Sequence, residues 1–330
     1  MIDTERFSEH LRARGVDHAS KRVLLTRFFG TEQEQDLSEP PNCDGFGRIR
    51  HFKRSRFVGW PDNPLPIDPA ARFLGLGRVD EIEAQVFQNA ICNWRCWYCF
   101  VPFTLLKADP AHSAFLSADE MIELYLNDER RPAVIDLTGG QPDLVPEWVV
   151  WTMKAIQDRG LEGQIYLWSD DNLSNDYLWR YLNAEARERL SSFRGYGRVC
   201  CFKGYDQDSF AFNTAAAPAL FETQFELMGH LMSLGLDIYG YATFTTPSTT
   251  ELAAKMTRFV DRLQGLHPNL PLRVVPLRIE VFTPVRSRMR ERHEGAIQNQ
   301  YAAIEAWNEE LDKRFTPAER ATDAIDISLS

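Results

Sequence analysis

The chain has 330 residues, with 37 Lys and Arg against 47 Asp and Glu, which gives a formal net charge of −10 at pH 7. Its 44% hydrophobic and 25% charged residues are typical of a globular protein and exclude a disordered chain, a collagen-like rod or a coiled coil. The acidic balance argues against sequence-independent binding to nucleic acid or to an anionic membrane.

No apolar run approaches the ~18 residues that a membrane span needs, and the first residues are acidic where a signal peptide is basic and then apolar. We therefore expect a cytoplasmic protein that binds neither a membrane nor nucleic acid. The length predicts one large α/β domain with extensions rather than two full domains.

We predict that residues 1–80 form an N-terminal extension. It has two short helical runs followed by a Pro/Gly-rich stretch that holds Cys43. A basic segment, residues 48–56, comes next, and no acidic residue lies between Gly45 and Pro61. Two interpretations stay open. The segment is either a solvated edge strand with its charges outward, or a lip of the active site that attracts a phosphate or carboxylate.

From about residue 83 the chain alternates short β-like runs with amphipathic helices, which is the pattern of a parallel sheet built from βα units. We place six strands at residues 83–90, 133–138, 164–169, 198–203, 236–244 and 272–282. Capping boxes are predicted at Ser117 with Glu120 and at Ser248 with Glu251, and helix ends at Gly160, Gly235 and Gly265.

Six βα units are too few to close an eight-stranded barrel, so the expected fold is an α/β partial (β/α)6 TIM-like barrel. Its ligands should lie at the carboxyl ends of the strands. The predicted core spans residues 81–285, and residues 286–330 form a C-terminal helical tail with a helix over 295–314. A second basic cluster opens this tail and has the same two interpretations: Arg286, Arg288, Arg290 and Arg292.

Three of the six cysteines fall within eight residues, directly after the first predicted strand. Cys92, Cys96 and Cys99 can point at one centre from a single loop, which suits a thiophilic metal or an iron–sulfur cluster. Three ligands leave one iron of a four-iron cluster open. A structural zinc site needs a fourth ligand, and His112 is the only nearby candidate.

The Cys-x3-Cys-x2-Cys spacing on this loop, with Tyr98 before the third cysteine, resembles the radical S-adenosylmethionine (SAM) superfamily. The resemblance implies that Cys92, Cys96 and Cys99 ligate a [4Fe-4S] cluster. It also implies that SAM chelates the open iron and that Tyr98 packs near the adenine. No cysteine follows Cys201, so one cluster is expected.

Two further segments resemble the family where its fold places them. Thr138-Gly139-Gly140-Gln141-Pro142 is similar to the Gly-Gly-Glu-Pro segment that receives the methionine ammonium, with Gln141 in place of the acid. Alone, this segment also fits a plain βα turn. Ser169-Asp170-Asp171-Asn172 ends the third strand, and the resemblance implies that Asp170 and Asn172 contact the ribose. A helix-capping turn is the alternative.

The fourth strand resembles the Asp-x-Lys strand of glycyl-radical activating enzymes, with Cys201 in place of the acid and Lys203 kept as a cofactor contact. Alternation places Cys201 and Lys203 on one face and Cys200 on the other. Cys201 is either an ordinary core cysteine or a thiol that returns a hydrogen atom to a substrate radical. Ile279 resembles the apolar residue that backs the adenine, which is compatible with a core position.

The resemblance implies an enzyme that cleaves SAM to a 5′-deoxyadenosyl radical, which abstracts hydrogen from a small polar substrate, either neutral or anionic. Rearrangement, epimerisation, elimination and oxidation stay open as outcomes. An external electron donor such as flavodoxin or ferredoxin is expected. The alternative activity is an activase that forms a glycyl radical on a partner enzyme. A non-catalytic iron–sulfur or zinc module is the third hypothesis.

Overall fold

The computed structural model describes residues 2–329. Its strands are β1 (Val16–Asp17), β2 (Arg22–Thr26), β3 (Gly47–Lys53), β4 (Glu81–Gln88), β5 (Ser113–Ser117), β6 (Val134–Thr138), β7 (Tyr166–Asp171), β8 (Tyr196–Phe202), β9 (Ile238–Thr243) and β10 (Val274–Leu277). Its helices are α1 (Thr4–Gly15), α2 (Ile67–Phe73), α3 (Ala118–Asn127), α4 (Glu147–Asp158), α5 (Tyr177–Tyr181), α6 (Ala184–Ser192), α7 (Gln207–Thr214), α8 (Leu220–Met232), α9 (Leu252–Leu266), α10 (Thr283–Arg286), α11 (Glu291–Arg314) and α12 (Pro317–Arg320).

Seven strands form one curled, open sheet in the order β10-β9-β8-β7-β6-β4-β3, which makes a half-barrel. The six strands from β4 to β10, without β5, run parallel and in chain order. The expected mixed α/β half-barrel is confirmed. The prediction of a last strand over residues 272–282 is too long, because β10 ends at Leu277 and Ile279 lies beyond it. The seventh strand, β3, lies in the predicted N-terminal extension and pairs antiparallel with β4 at the edge of the sheet.

The two faces of the sheet pack against different surroundings because successive side chains on a strand point to opposite sides. The concave face buries aromatic and aliphatic side chains such as Trp168 and Tyr241. The convex face, with Leu137 and Phe202, packs against the helices in the main hydrophobic core. The carboxyl ends of the parallel strands therefore open toward a space lined on one side by the concave face.

The N-terminal segment differs from the expectation of two helical runs before Cys43. The first run is α1, but the second half of that stretch holds β2 and then a 3-10 helix at Glu32–Asp36. β2 pairs with β1 and β5 in a separate three-stranded sheet. Partners more than eighty residues away decide this conformation, which local helical periodicity does not reveal.

The helix boundaries test the predicted caps. Ser117 and Glu120 form the capping box of α3, and Gly160 has the left-handed backbone expected after α4, with φ +66°. The prediction of a second capping box, at Ser248 and Glu251, is wrong. Helix α9 begins at Leu252, and Glu251 precedes it with a left-handed φ of +54°. Gly265 was expected to end α9 but lies inside it, since that helix continues to Leu266.

A segment that we call the strap, residues 55–63, joins the two edges of the half-barrel. Trp60 Nε1 donates to the Pro276 carbonyl at 3.0 Å, and Arg56 pairs with Glu280 at 3.3 Å. Asn63 Nδ2 donates to the Tyr241 hydroxyl at 3.1 Å. The strap follows β3, and its partners lie on β9, on β10 or just after β10, so it closes the open side of the sheet next to the strand ends.

Within residues 2–329 we find no helix with the length and apolarity that a membrane crossing requires.

Candidate functional site

A cavity of about 280 Å³ lies at the carboxyl ends of the parallel strands. Every residue that the sequence analysis singled out for the cluster, SAM or hydrogen transfer lines it, although their roles stay predictions. The thirteen are Cys92, Cys96, Tyr98, Cys99, Thr138, Gly139, Gly140, Gln141, Asp170, Asn172, Cys201, Lys203 and Ile279. A depression of about 450 Å³ lies elsewhere, on the outer surface beside α1, and holds none of them.

Backbone contacts fix the cysteine loop in place. The Cys92 amide donates to the Leu106 carbonyl at 3.0 Å, and the Cys99 amide donates to the Cys96 carbonyl at 2.9 Å. The Arg95 guanidinium reaches back to the Cys92 carbonyl at 2.6 Å. These bonds turn the loop so that its three thiols face the cavity, with Cys92 only 8% exposed.

All three thiols are free, and burial raises the pKa of Cys96 to about 12 and also raises the pKa of Cys92. Nearby positive charge on Lys203 opposes this for both cysteines. Across residues 2–329, no three His, Cys, Asp or Glu side chains are gathered as metal ligands, so the thiols share the cavity without a ligating arrangement in this conformation.

The donor set nevertheless fits an iron–sulfur cluster better than a zinc ion. The cavity wall offers three thiols from one short loop, and thiolates are the ligands that such clusters take from proteins. His112, the candidate fourth zinc ligand, is hydrogen-bonded through Nδ1 to Asp109 at 2.8 Å and does not line the cavity. Three protein ligands would leave one iron of a four-iron cluster free to bind a group from outside the protein.

The turn after β6 packs directly on the cysteine loop. Gly139 and Gly140 have left-handed backbones, with φ +67° and +61°. A Cβ on Gly140 would lie 2.3 Å from the Ile91 carbonyl oxygen and 2.5 Å from that of Asn89, so only glycine fits. The backbone N–H of Gln141 then donates to the Ile91 carbonyl at 2.7 Å, which joins the turn to the cysteine loop.

The side chain of Gln141 connects this turn to the end of β7. Its Nε2 donates to the Asp171 carboxylate at 2.7 Å, and its Oε1 accepts from the Asn172 amide at 2.9 Å. Asn172 in turn donates through Nδ2 to Asn93 at 3.2 Å, while its buried Oδ1 has no hydrogen-bond partner among residues 2–329. An unpaired buried acceptor on the cavity wall is a suitable place for a ligand donor.

Asp170 and Lys203 place charge on the cavity wall. The Thr138 hydroxyl donates to the Asp170 carboxylate, and burial raises the pKa of Asp170. Burial lowers the pKa of Lys203, but the neighbouring groups of Cys201, Tyr98 and Cys96 outweigh this and hold it well above its usual value. The Lys203 ammonium therefore stays charged beside the thiols.

The two adjacent cysteines on β8 face opposite ways, as alternation predicted. Cys201 lies on the concave face beside Tyr241 and lines the cavity, whereas Cys200 is buried in the main core. Burial raises the pKa of Cys201 to about 11, so its sulfur keeps its hydrogen at neutral pH. Its position therefore suits hydrogen-atom return as well as core packing.

The basic segment after residue 47 combines parts of both interpretations. It is an edge strand, but the expectation that its charges point outward is wrong for Arg48 and Arg54, which are each 6% exposed. Arg54 donates two hydrogen bonds to the carboxylate of Asp68 on α2, which neutralises it. Arg50 and Arg56 line the cavity.

Sequence reasoning missed several cavity residues, including Trp60, Tyr241 and Arg278. Only the basic segment and the neighbourhood of Ile279 gave any signal for them. The second basic cluster does not line the cavity; its Arg288 instead donates to the Cys99 carbonyl at 2.7 Å and so braces the cysteine loop from outside.

Comparisons with known proteins give partial likenesses. No family model matches the chain. "Putative protein YfkA" of Bacillus subtilis (strain 168) is 30% identical over 122 residues, which are 34% of this chain and 31% of that protein. Crystal structures of Streptococcus suis SuiB bound to S-adenosylmethionine and to precursor peptide SuiA each give 15% identity and a TM-score of 0.40. They cover 55% of this chain and 36–37% of SuiB, so the chain spans about a third of either relative.

Proposed function

We propose that this protein is a radical SAM enzyme that acts on a small polar substrate. The observation that supports this most directly is the contact between the Cys-x3-Cys-x2-Cys loop and the Gly-Gly-Gln-Pro turn. The two segments lie about forty residues apart in the sequence, yet the Gln141 amide bonds to the Ile91 carbonyl and both segments line one cavity.

In this proposal Cys92, Cys96 and Cys99 hold a [4Fe-4S] cluster. When bound, it supplies the electron that cleaves SAM to methionine and a 5′-deoxyadenosyl radical. The residues of the chain bind SAM, orient it toward the substrate and shield both from water. Gly139 and Gly140 hold the turn against the cysteine loop on the cavity wall, and the unpaired Oδ1 of Asn172 accepts from the ligand.

Tyr98 and Ile279 form the apolar wall of the proposed adenine site. The Tyr98 hydroxyl donates to Thr243 at 3.2 Å, which fixes the ring. Gln300 on α11 accepts from the Ile279 amide and donates to its carbonyl, at 3.0 and 3.2 Å, so the backbone beside the wall is fixed on both sides. A fixed wall favours one orientation of the reacting carbon and excludes water.

Cys201 is proposed to return a hydrogen atom to the substrate radical. The thiol would become a thiyl radical as its S–H bond breaks and a substrate C–H bond forms. Restoring it needs one electron and one proton, which we assign to the external reductant, a flavodoxin or ferredoxin, and to solvent.

An activase for a partner enzyme is the second candidate function, and Lys203 favours it because the same strand position is lysine in activating enzymes. Its test is a glycyl-radical signal in electron paramagnetic resonance that develops only after a partner protein is added. A signal that needs no partner, or product from a small molecule alone, would favour the first function.

The proposal is tested by anaerobic reconstitution followed by iron analysis and product assay. We expect a brown protein with about four irons per chain that forms 5′-deoxyadenosine from SAM and dithionite. Cys96→Ala should lose both properties. Cys200→Ala is the matched control, since it removes a buried thiol outside the cavity and should retain iron. A colourless zinc protein, or SAM cleavage by Cys96→Ala, would overturn the assignment.

A further inference from the structure

The wall of the cavity carries more positive than negative side chains. Three carboxylates line it, at Asp170, Asp171 and Glu280. Six cationic side chains line it, namely Arg50, Lys53, Arg54, Arg56, Lys203 and Arg278. An excess of one sign around a recessed space attracts ligands of the opposite sign.

Three of these cations are neutralised by pairing. Arg54 is held by Asp68, Arg56 pairs with Glu280 at 3.3 Å, and Lys53 pairs with Glu81 at 3.6 Å. In the described part of the chain, Lys203 and Arg278 have no carboxylate within 4.0 Å, and the single ion-pair contact of Arg50 is with Asp136 at 3.8 Å. The unneutralised charge therefore belongs to Arg50, Arg278 and the predicted SAM contact Lys203.

Arg278 is oriented by aromatic rings rather than by an acid. Its guanidinium lies 3.8 Å from the centre of the Phe57 ring on the strap and 5.9 Å from that of Tyr301. The Nε of Arg278 is buried and has no hydrogen-bond acceptor in the part of the chain that the structure describes. A stacked guanidinium keeps its N–H edge free for a carboxylate or phosphate.

Arg50 is backed by a carboxyl that does not bond to it. Both oxygens of Asp136 are completely buried and have no hydrogen-bond partner within residues 2–329. Burial, followed by the charge of Asp170, raises the pKa of Asp136 to about 8, although Arg50 opposes this. Because no hydrogen bond joins Asp136 to Arg50 in the described residues, the N–H groups of Arg50 stay available, and its side chain is 35% exposed and lines the cavity.

We propose that Arg50 and Arg278 form a subsite for an anionic group of the substrate, either a carboxylate or a phosphate, at the strap side of the cavity. The inference rests on the proposed function, because it assigns these residues to the substrate and leaves Lys203 to SAM. Phe57 and Trp60 of the strap also line the cavity, so the anion would enter beside an aromatic wall. The chemical class is therefore a small organic acid or phosphate ester.

The test measures anion binding separately from SAM cleavage. Inorganic phosphate and succinate are titrated into the reconstituted protein by calorimetry, with ionic strength held constant by sodium chloride. The variants are Arg278→Gln and Arg50→Gln. Arg286→Gln is the control, because Arg286 is exposed and does not line the cavity. Each variant is checked for folding by its thermal transition. A glutamine variant that fails to fold is replaced by the lysine variant at the same position, Arg278→Lys or Arg50→Lys, which keeps the charge without the planar fork and should also bind the anion more weakly.

We expect one of the two probes to bind the wild type and Arg286→Gln equally, and about tenfold or more weakly to Arg278→Gln and Arg50→Gln. The probe with the higher affinity identifies the anion as phosphate or carboxylate. Equal binding by wild type and both cavity variants, or binding of neither probe, would overturn the subsite. Wild-type protein that forms no 5′-deoxyadenosine would overturn the proposed function instead, and the binding comparison would still be interpretable.

Discussion

The side-chain amide of Gln141 donates through Nε2 to the carboxylate of Asp171 at 2.7 Å and accepts through Oε1 from the backbone N–H of Asn172 at 2.9 Å. A backbone N–H only donates and a carboxylate only accepts, so one end of the side chain must be a donor and the other an acceptor. A carboxylate at position 141 cannot satisfy both. The glutamine that departs from the Gly-Gly-Glu-Pro pattern is thus explained by its neighbour on β7.

Gln141→Glu is expected to destabilise the fold by about 2 kcal/mol, because it places two buried carboxylates in contact and removes a charge-assisted hydrogen bond. Urea unfolding monitored by circular dichroism measures the change. Adding Asp171→Asn should recover part of the loss, since an asparagine amide donates to the new glutamate. A double variant no more stable than Gln141→Glu would contradict this coupling.

Gly140→Ala should destabilise the fold by about 3 kcal/mol or more, because its Cβ meets two backbone carbonyl oxygens and the residue needs a left-handed φ. Gly163→Ala is the matched control. Gly163 also has a left-handed φ, +87°, but no atom of residues 2–329 lies within 4 Å of its added Cβ, so a loss of about 1 kcal/mol is expected. Similar losses in the two variants would show that the close approach at Gly140 is unimportant.

Cys201→Ala is expected to form 5′-deoxyadenosine while losing or redirecting the substrate product. Without the thiol, no S–H bond is available to quench the substrate radical on that face of the cavity. The ratio of product to 5′-deoxyadenosine and the product's stereochemistry are the measurements. Cys200→Ala serves as the control, since that thiol is buried outside the cavity. Unchanged ratio and stereochemistry in Cys201→Ala would return Cys201 to a packing role.

Asp136 predicts a pH dependence of stability. Its pKa is about 8 in the folded chain against an ordinary 3.8, so between these values the folded state holds a proton that the unfolded state has lost. The free energy of unfolding therefore falls as pH rises through this window. Asp136→Asn cannot ionise and therefore lacks this pH-dependent fall in stability. The difference in Tm between Asp136→Asn and wild type should increase in favour of the variant by a few degrees from pH 5 to pH 8.

The exposed Asp158→Asn gives the control for Asp136, because its Tm difference from wild type should stay constant over the same pH range. Thermal melts of all three proteins in matched buffers provide the comparison. If the Tm difference for Asp136→Asn did not change with pH, Asp136 would titrate normally, and the account of an unneutralised Arg50 would lose this support.

Local patterns predicted the elements on which the site stands. The six parallel strands of the half-barrel were recognised from their β-branched and aromatic runs, because buried strands between helices have that composition whatever their partners. The Ser117 capping box was predicted for a similar reason, since its two hydrogen bonds join residues three apart.

Long-range partners decided what these patterns missed. Arg48 and Arg54 belong to a basic run that reads as a solvated surface, and Arg54 is buried because α2 brings Asp68 to it. The region of β2 reads as helical but pairs with β5, far along the chain. Neither outcome is encoded within a few residues, because both depend on where distant segments fold.

By itself, the sequence determined that Cys201 and Cys200 face opposite sides of their strand, since side-chain alternation is a local property of the backbone. The cysteine loop and the glycine turn were recognised from residue spacing along the chain, whereas the cavity residues Tyr241 and Arg278 were not. Only the tertiary structure decided which charges on the cavity wall remain unneutralised. Ion pairing depends on the positions of carboxylates from other segments, and the strap that carries Phe57 to Arg278 acquires its place only when the two edges of the half-barrel meet.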